Sequence, residues 1–119
     1  MIDKWMAIKN FWKRFNLPAY DENTLPDNVS MPYITYESST SDFDERIQLS
    51  ASLWYYSTLW DEISQKASEI EELIGGGHSE PYDNGRIWIT KDYPFAQRMN
   101  EPGSDMTRRM VIHIVAEFQ

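Results

Sequence analysis

Side chains able to act as nucleophiles or proton shuttles are few. The chain has no cysteine and two histidines, His78 and His113, so thiol chemistry, a disulfide framework and cysteine-held zinc are excluded. Neither histidine has an Asp or Ser at a spacing that would build a nucleophile and its base. His78 follows Gly75-Gly76-Gly77 and reads as a solvent-exposed loop residue, whereas His113 lies in an alternating run and reads as a strand residue on its less buried face. The three glycines lack the Lys-Ser/Thr of a phosphate loop and follow a helical stretch, where a phosphate cradle precedes one. They read as a helix stop.

Carboxylates are the remaining candidates for chemistry. Asp42-Phe43-Asp44-Glu45 offers three acids to a hard cation, but it lacks the glycine turn and distal Glu of a calcium loop and reads as a solvated acidic loop with one aromatic anchor. Glu69, Glu71 and Glu72 fall on a helical stretch where neighbours point about 100° apart, so they cannot form one acid/base pair on one face. They form either a solvated face or the wall of a channel through which a polyanion slides without sticking. No catalytic, cofactor or metal residue is assigned.

With 11 basic against 19 acidic residues, the net charge is −8, which disfavours tight binding to phosphate backbones. The five tryptophans and seven tyrosines could offer stacking platforms for single-stranded nucleic acid, but the surrounding charge opposes that. Trp5, Trp12 and Trp60 sit on apolar stripes and are expected in the core, and so many rings in a small chain point to surfaces covered by other subunits. Lys4, Lys9, Lys13 and Arg14 against Asp3 give the first helix +3, while the other seven basic and eighteen acidic residues give −11. Such a helix suits docking on the acidic part of a neighbour better than lying on a membrane.

A chain of 119 residues, 41% apolar and 14% aromatic, is expected to form a single domain over 1–119 with its own core. No stretch approaches a membrane span and the start does not resemble a signal peptide, so a protein that is intracellular or assembled from the cytoplasm is expected.

The elements follow from periodicity. Trp5, Ile8, Trp12 and Phe15 recur at helical spacing and predict a helix over 2–16, ended before Pro18. Asp21 to Ser30 reads as a polar loop, and Met31 to Tyr36 as a short edge strand. Ile47, Leu49, Ala51, Leu53 and Tyr55 alternate with polar residues and predict a long half-buried strand. Thr58 and Asp61 have capping-box spacing for a helix whose stripe is Trp60, Ile63, Ala67, Ile70 and Ile74. Its charged positions, Asp61, Glu62, Lys66, Glu69, Glu71 and Glu72, sum to −4 and place acids at the unfavourable end of the helix dipole. A loop from His78 to Asn84, a strand after Asn84-Gly85, a connection over Tyr93 to Gly103 and a last strand from Met106 to Phe118 complete the chain. The order α-β-β-α-β-β predicts an α+β domain with a four-stranded, mainly antiparallel sheet over 31–118 and two helices packed on one face.

Pro32-Tyr33-Ile34-Thr35-Tyr36, Trp60-Asp61-Glu62-Ile63-Ser64-Gln65-Lys66, Gly85-Arg86-Ile87-Trp88-Ile89, Pro94-Phe95-Ala96-Gln97-Arg98 and Asp105-Met106-Thr107-Arg108-Arg109, in that order, resemble the tail terminator proteins of long-tailed bacteriophages and prophages. The resemblance spans about Met31 to Phe118. It implies a structural virion protein, not an enzyme, that forms a hexameric ring with copies of itself. The ring would cap the tail tube, end its polymerisation and present the head-tail joining surface through which DNA passes. Implied partners are the tail tube protein and a neck or head-completion protein, with no membrane and no sequence-specific DNA contact, at the head-proximal end of the virion tail. On this reading Asp42, Phe43, Asp44 and Arg46 lie on a loop ordered by the ring or tube. Phe95, Gln97, Arg98, Arg108 and Arg109 make subunit contacts, and Glu69, Glu71 and Glu72 face the channel. A neck connector, or a monomeric module binding a small molecule or peptide near His113, are the alternative readings.

Overall fold

The alternation that marks the two long strands also builds the centre of the sheet. The computed structural model describes residues 1–37 and 46–119. Its elements are α1 (Lys4–Trp12) continued by a 3-10 turn (Lys13–Phe15), β1 (Ala19–Asp21), β2 (Tyr33–Tyr36), β3 (Arg46–Tyr56), α2 (Asp61–Ile74), β4 (His78–Tyr82), β5 (Gly85–Met99) and β6 (Thr107–Phe118). β3 and β6 pair antiparallel along their whole lengths, so Leu49, Ala51 and Leu53 face Ile114, Ile112 and Met110 on the core side.

The sheet has six strands in the order β1-β2-β3-β6-β5-β4, with β1 parallel to β2 and every other pair antiparallel. This corrects the expected four-stranded antiparallel sheet, and the strands curl into a half-barrel. β1 ends at Asp21, where the expected polar loop begins, and makes β2 an interior strand, paired from Ala19 to Ile34. Three residues are too few to show a period. The expected loop from His78 is β4, held to β5 by a hairpin that pairs Tyr82 with Gly85. β5 runs on through the expected connection to Met99, because a register shift between Lys91 and Ala96 absorbs Pro94.

The two helices fill the hollow of the curled sheet. α2 packs on β3, β5 and β6 and buries Ile63, Ala67, Ile70 and Ile74. Each buried isoleucine contributes about 1.5–3 kcal/mol, against about 0.3–1 kcal/mol for each acid misplaced on the dipole, so the apolar stripe decides that this segment is a helix. The expected capping box does not form: the cap is Trp60, which makes no side-chain capping bond, and the Ser57 hydroxyl instead accepts from the Leu59 N–H at 3.0 Å. At the other end Gly75, with φ 52°, accepts the left-handed turn that stops the helix. Gly77, at φ 150°, lies under the Trp88 ring, where a Cβ would collide.

α1 spans the mouth of the half-barrel. It contacts β4 at one edge of the sheet and β1 and β2 at the other. The Asp3 carboxylate starts the helix by accepting from the Met6 N–H at 2.8 Å. Main-chain bonds anchor both ends of the segment. The Asp83 N–H donates to the Ile2 carbonyl and the Ile34 N–H to the Pro18 carbonyl, each at 2.8 Å. Inside, Phe11, Trp12 and Phe15 are fully buried, with ring pairs at 4.9 and 5.5 Å from Phe11.

One ion cluster fastens this closure. Glu80 on β4 is buried, and Arg14 grips its carboxylate with two N–H donors at 2.7 and 2.9 Å. His78 Nε2 lies 3.0 Å from the same carboxylate and its ring packs on Phe11 at 5.6 Å. His78 is therefore a partly buried structural residue and not an exposed loop residue. Burial pushes the Glu80 carboxyl up, but the Arg14 and His78 hydrogen bonds and charges outweigh it and hold the group below its usual 4.5. A carboxyl so depressed stabilises the fold above pH 4.5, and that contribution is lost as pH falls through the folded-state value.

The burial of one partner sets the order of mutational costs. Arg14→Ala strands a buried charge and is expected to cost about 3 kcal/mol, whereas Glu80→Gln leaves only a half-exposed guanidinium to be hydrated and is expected to cost about 1 kcal/mol. Urea midpoints at neutral pH check the order. A urea titration repeated below pH 4.5 is expected to show the Glu80→Gln variant losing less stability on acidification than the parent.

Candidate functional site

The far end of the β5–β6 hairpin meets the start of α2, and two of the residues expected at subunit contacts, Arg98 and Arg108, lie there. Register places Arg98 opposite Met110 and Arg108 opposite Tyr55, so both reach the helix-covered side of the sheet. Their guanidinium carbons stand 4.9 and 5.4 Å from the centre of the Trp60 ring. Trp60 is half-buried and rests against the core. It serves as a platform for two cations, in place of the purely internal role expected from its stripe position.

The two arginines are held differently. Arg108 donates to the Thr58 carbonyl at 2.8 Å and to its neighbour Thr107's carbonyl at 3.2 Å, while its buried Nε has no acceptor among the described residues. Arg98 is exposed and has no carboxylate partner among the described residues. Beside them opens a groove of about 860 Å³ whose wall includes Trp60, Arg108, Met99 and the hairpin end from Asn100 to Asp105. Over the indole, the Arg98 guanidinium has no hydrogen-bond acceptor among the described residues, which leaves its N–H donors open to a carboxylate from outside.

Arg109 points to the opposite, uncovered face. Its guanidinium lies 4.9 Å from the Trp54 ring, donates to the Ser52 hydroxyl at 3.0 Å and approaches Glu101 at 3.4 Å. Trp54 stacks on Tyr33 at 6.2 Å, Tyr33 meets Tyr20 at 6.0 Å, and the Trp54 indole donates to Thr35 at 2.9 Å. These contacts form an aromatic row across β1, β2, β3 and β6. Gln97 lies on the same face, 2.8 Å from His113. Phe95 is half-buried against the core at the register shift.

The other expected site residues are dispersed. Arg46 opens β3 and lies 3.9 Å from Glu117; Asp42, Phe43 and Asp44 fall outside the described residues. Glu69 pairs with Lys66 at 2.9 Å and Glu71 with Lys91 at 3.5 Å, so the two acids face opposite flanks of α2. Glu72 has no ionic partner among the described residues. Among those residues no group of three or more His, Asp or Glu could hold a metal ion. Sequence reasoning missed Trp60 as a shared platform, because Arg98 and Arg108 are distant in sequence and only strand register brings them to it.

No protein-family model matches the chain, and no curated protein matches it. Among solved structures it resembles a chain from the virion of a native gene transfer agent particle, with a TM-score of 0.73 and 12% identity over 97% of this chain and 93% of that one. The likeness is one of fold. A second solved chain resembles it with a TM-score of 0.63 and 12% identity, over 98% of this chain and 89% of the other. The fold is thus shared across nearly full lengths at an identity of 12%.

The unequal holding of the two arginines has a measurable consequence. Arg98→Ala is expected to leave stability within about 0.5 kcal/mol. Arg108→Ala, which removes two hydrogen bonds to backbone carbonyls, is expected to cost about 1–2 kcal/mol. Thermal melts of the two variants check the difference.

Proposed function

We propose that this chain is a structural subunit of a phage-like virion. It forms a hexameric ring that caps the tail tube at its head-proximal end, stops tube growth and offers the joining surface for the neck, with DNA passing through the opening. Its role is assembly and not catalysis. The observation that carries this reading is the near full-length fold likeness to a gene transfer agent virion chain. A second observation supports it: three separate stretches that resemble tail terminators, Trp60–Lys66, Pro94–Arg98 and Asp105–Arg109, each supply one residue to the Trp60, Arg98 and Arg108 cluster. A contact patch gathered from such distant stretches suits a surface that a neighbouring protein must read.

The test is to add purified protein to tail-tube subunits as they polymerise. Shorter tubes bearing a ring at one end are the expected result, and Arg98→Glu is expected to weaken capping while leaving the melting temperature unchanged. Tubes of undiminished length, with no ring at either end, would overturn the reading.

A further inference from the structure

Two surfaces of this chain match each other in charge and in apolar content. On α1 and its 3-10 extension, Met6, Lys9 and Lys13 share one helical face. Met6 is 44% exposed, and neither lysine has a carboxylate partner among the described residues. Met6 and Lys9 line a groove of about 320 Å³ together with Trp5. On α2, Glu69, Glu72 and Leu73 share a face and line a separate groove of about 410 Å³ beside Phe15. Leu73 is 39% exposed.

The charges within each groove do not cancel that match. Asp21 also lines the first groove, at the end of β1 where its carboxylate accepts from the Asn23 N–H at 2.8 Å, and its one negative charge leaves the face with Lys9 and Lys13 net positive. Arg14 lines the second, but its guanidinium is bound to Glu80. Lys66 answers Glu69, which leaves Glu72 unanswered on a helix of net charge −4.

We propose that the Met6, Lys9 and Lys13 face of one copy seats on the Glu69, Glu72 and Leu73 face of the next. The inference rests on the ring reading and names its contact. The two faces share no residue, so a pair joined by one such contact still has one free face of each kind, and the contact can propagate head-to-tail until it closes. Burial of Met6 against Leu73 supplies the apolar part, and the lysines opposite the glutamates set the register. Glu69 and Glu72 thereby belong to a subunit contact and not to a channel wall.

The chain's lack of cysteine makes the test direct. Met6→Cys and Leu73→Cys are made singly, mixed in equal amounts and oxidised. The mixed disulfide is expected in roughly tenfold excess over either like-with-like product, because docked thiols react at millimolar effective concentration. The random 1:2:1 distribution, with the mixed product only about twice either like-with-like product, would overturn the proposal. Light scattering and imaging of the same samples, with and without tail tubes, separate the two levels. Rings without the mixed disulfide overturn this contact and leave the ring reading standing; neither rings nor disulfide, even with tubes present, overturns both. As a second arm, Lys9→Glu/Lys13→Glu and Glu69→Lys/Glu72→Lys are each expected to abolish assembly and to restore it when combined in one chain. Assembly indifferent to either reversal counts against the contact.

Discussion

A sheet that curls without closing has two edges to protect, and the rest of this structure depends on how they are covered. An exposed strand edge invites pairing with other chains. Here α1 lies across both edges, tied at Ile2 to the β4–β5 turn and at Pro18 to β2. The helix must also bury three aromatic rings to fill the hollow. The Arg14 grip on buried Glu80 fixes its position, since two directed N–H donors on one carboxylate admit a single geometry.

That closure determines which surfaces remain for other work. With α1 and α2 in the hollow, the hairpin end of β5 and β6 projects beyond the core, and Trp60 at the start of α2 is left half-buried at its base. The platform exists because a helix needs a first turn and a hairpin needs an end, and here the two coincide. Arg108 is bonded to backbone carbonyls and is part of the scaffold. Arg98, one strand over, is held among the described residues by the Trp60 ring.

The parts that could be read from sequence are those with a long period. Leu49, Ala51 and Leu53 on β3, Met110, Ile112 and Ile114 on β6, and the isoleucines of α2 announce their elements because each repeats its pattern several times. β1 has three residues and no pattern, and β4 reads His-Ser-Glu-Pro-Tyr, a composition that favours a loop until a hairpin and a helix enclose it. Glu80 passes for a solvated acid because its partner Arg14 is 66 residues away. The candidate contact residues were recognisable as types, but their grouping was not. Strand register, which sends Arg98 and Arg108 to one face and Gln97 and Arg109 to the other, is a tertiary property.

The distribution of positive charge separates fold from function. In a chain with 19 acidic against 11 basic residues, a cation without a carboxylate does not reflect a shortage of acids. Arg14, Arg46, Lys66, Lys91 and Arg109 each face a carboxylate within the chain. Lys4 stands over the Tyr82 and Phe118 rings, and Arg86 and Arg108 bond to neutral oxygens. Lys9, Lys13 and Arg98 remain, all exposed and without a carboxylate partner among the described residues. An internal ion pair at such exposed positions would contribute little to stability, so the fold loses almost nothing where the described residues offer these three cations no carboxylate. A partner that buries them against its own carboxylates gains both attraction and orientation. The same global acidity that repels a phosphate backbone makes a second copy of this chain a suitable source of those carboxylates, provided the cations are gathered on surfaces distinct from the acids they meet.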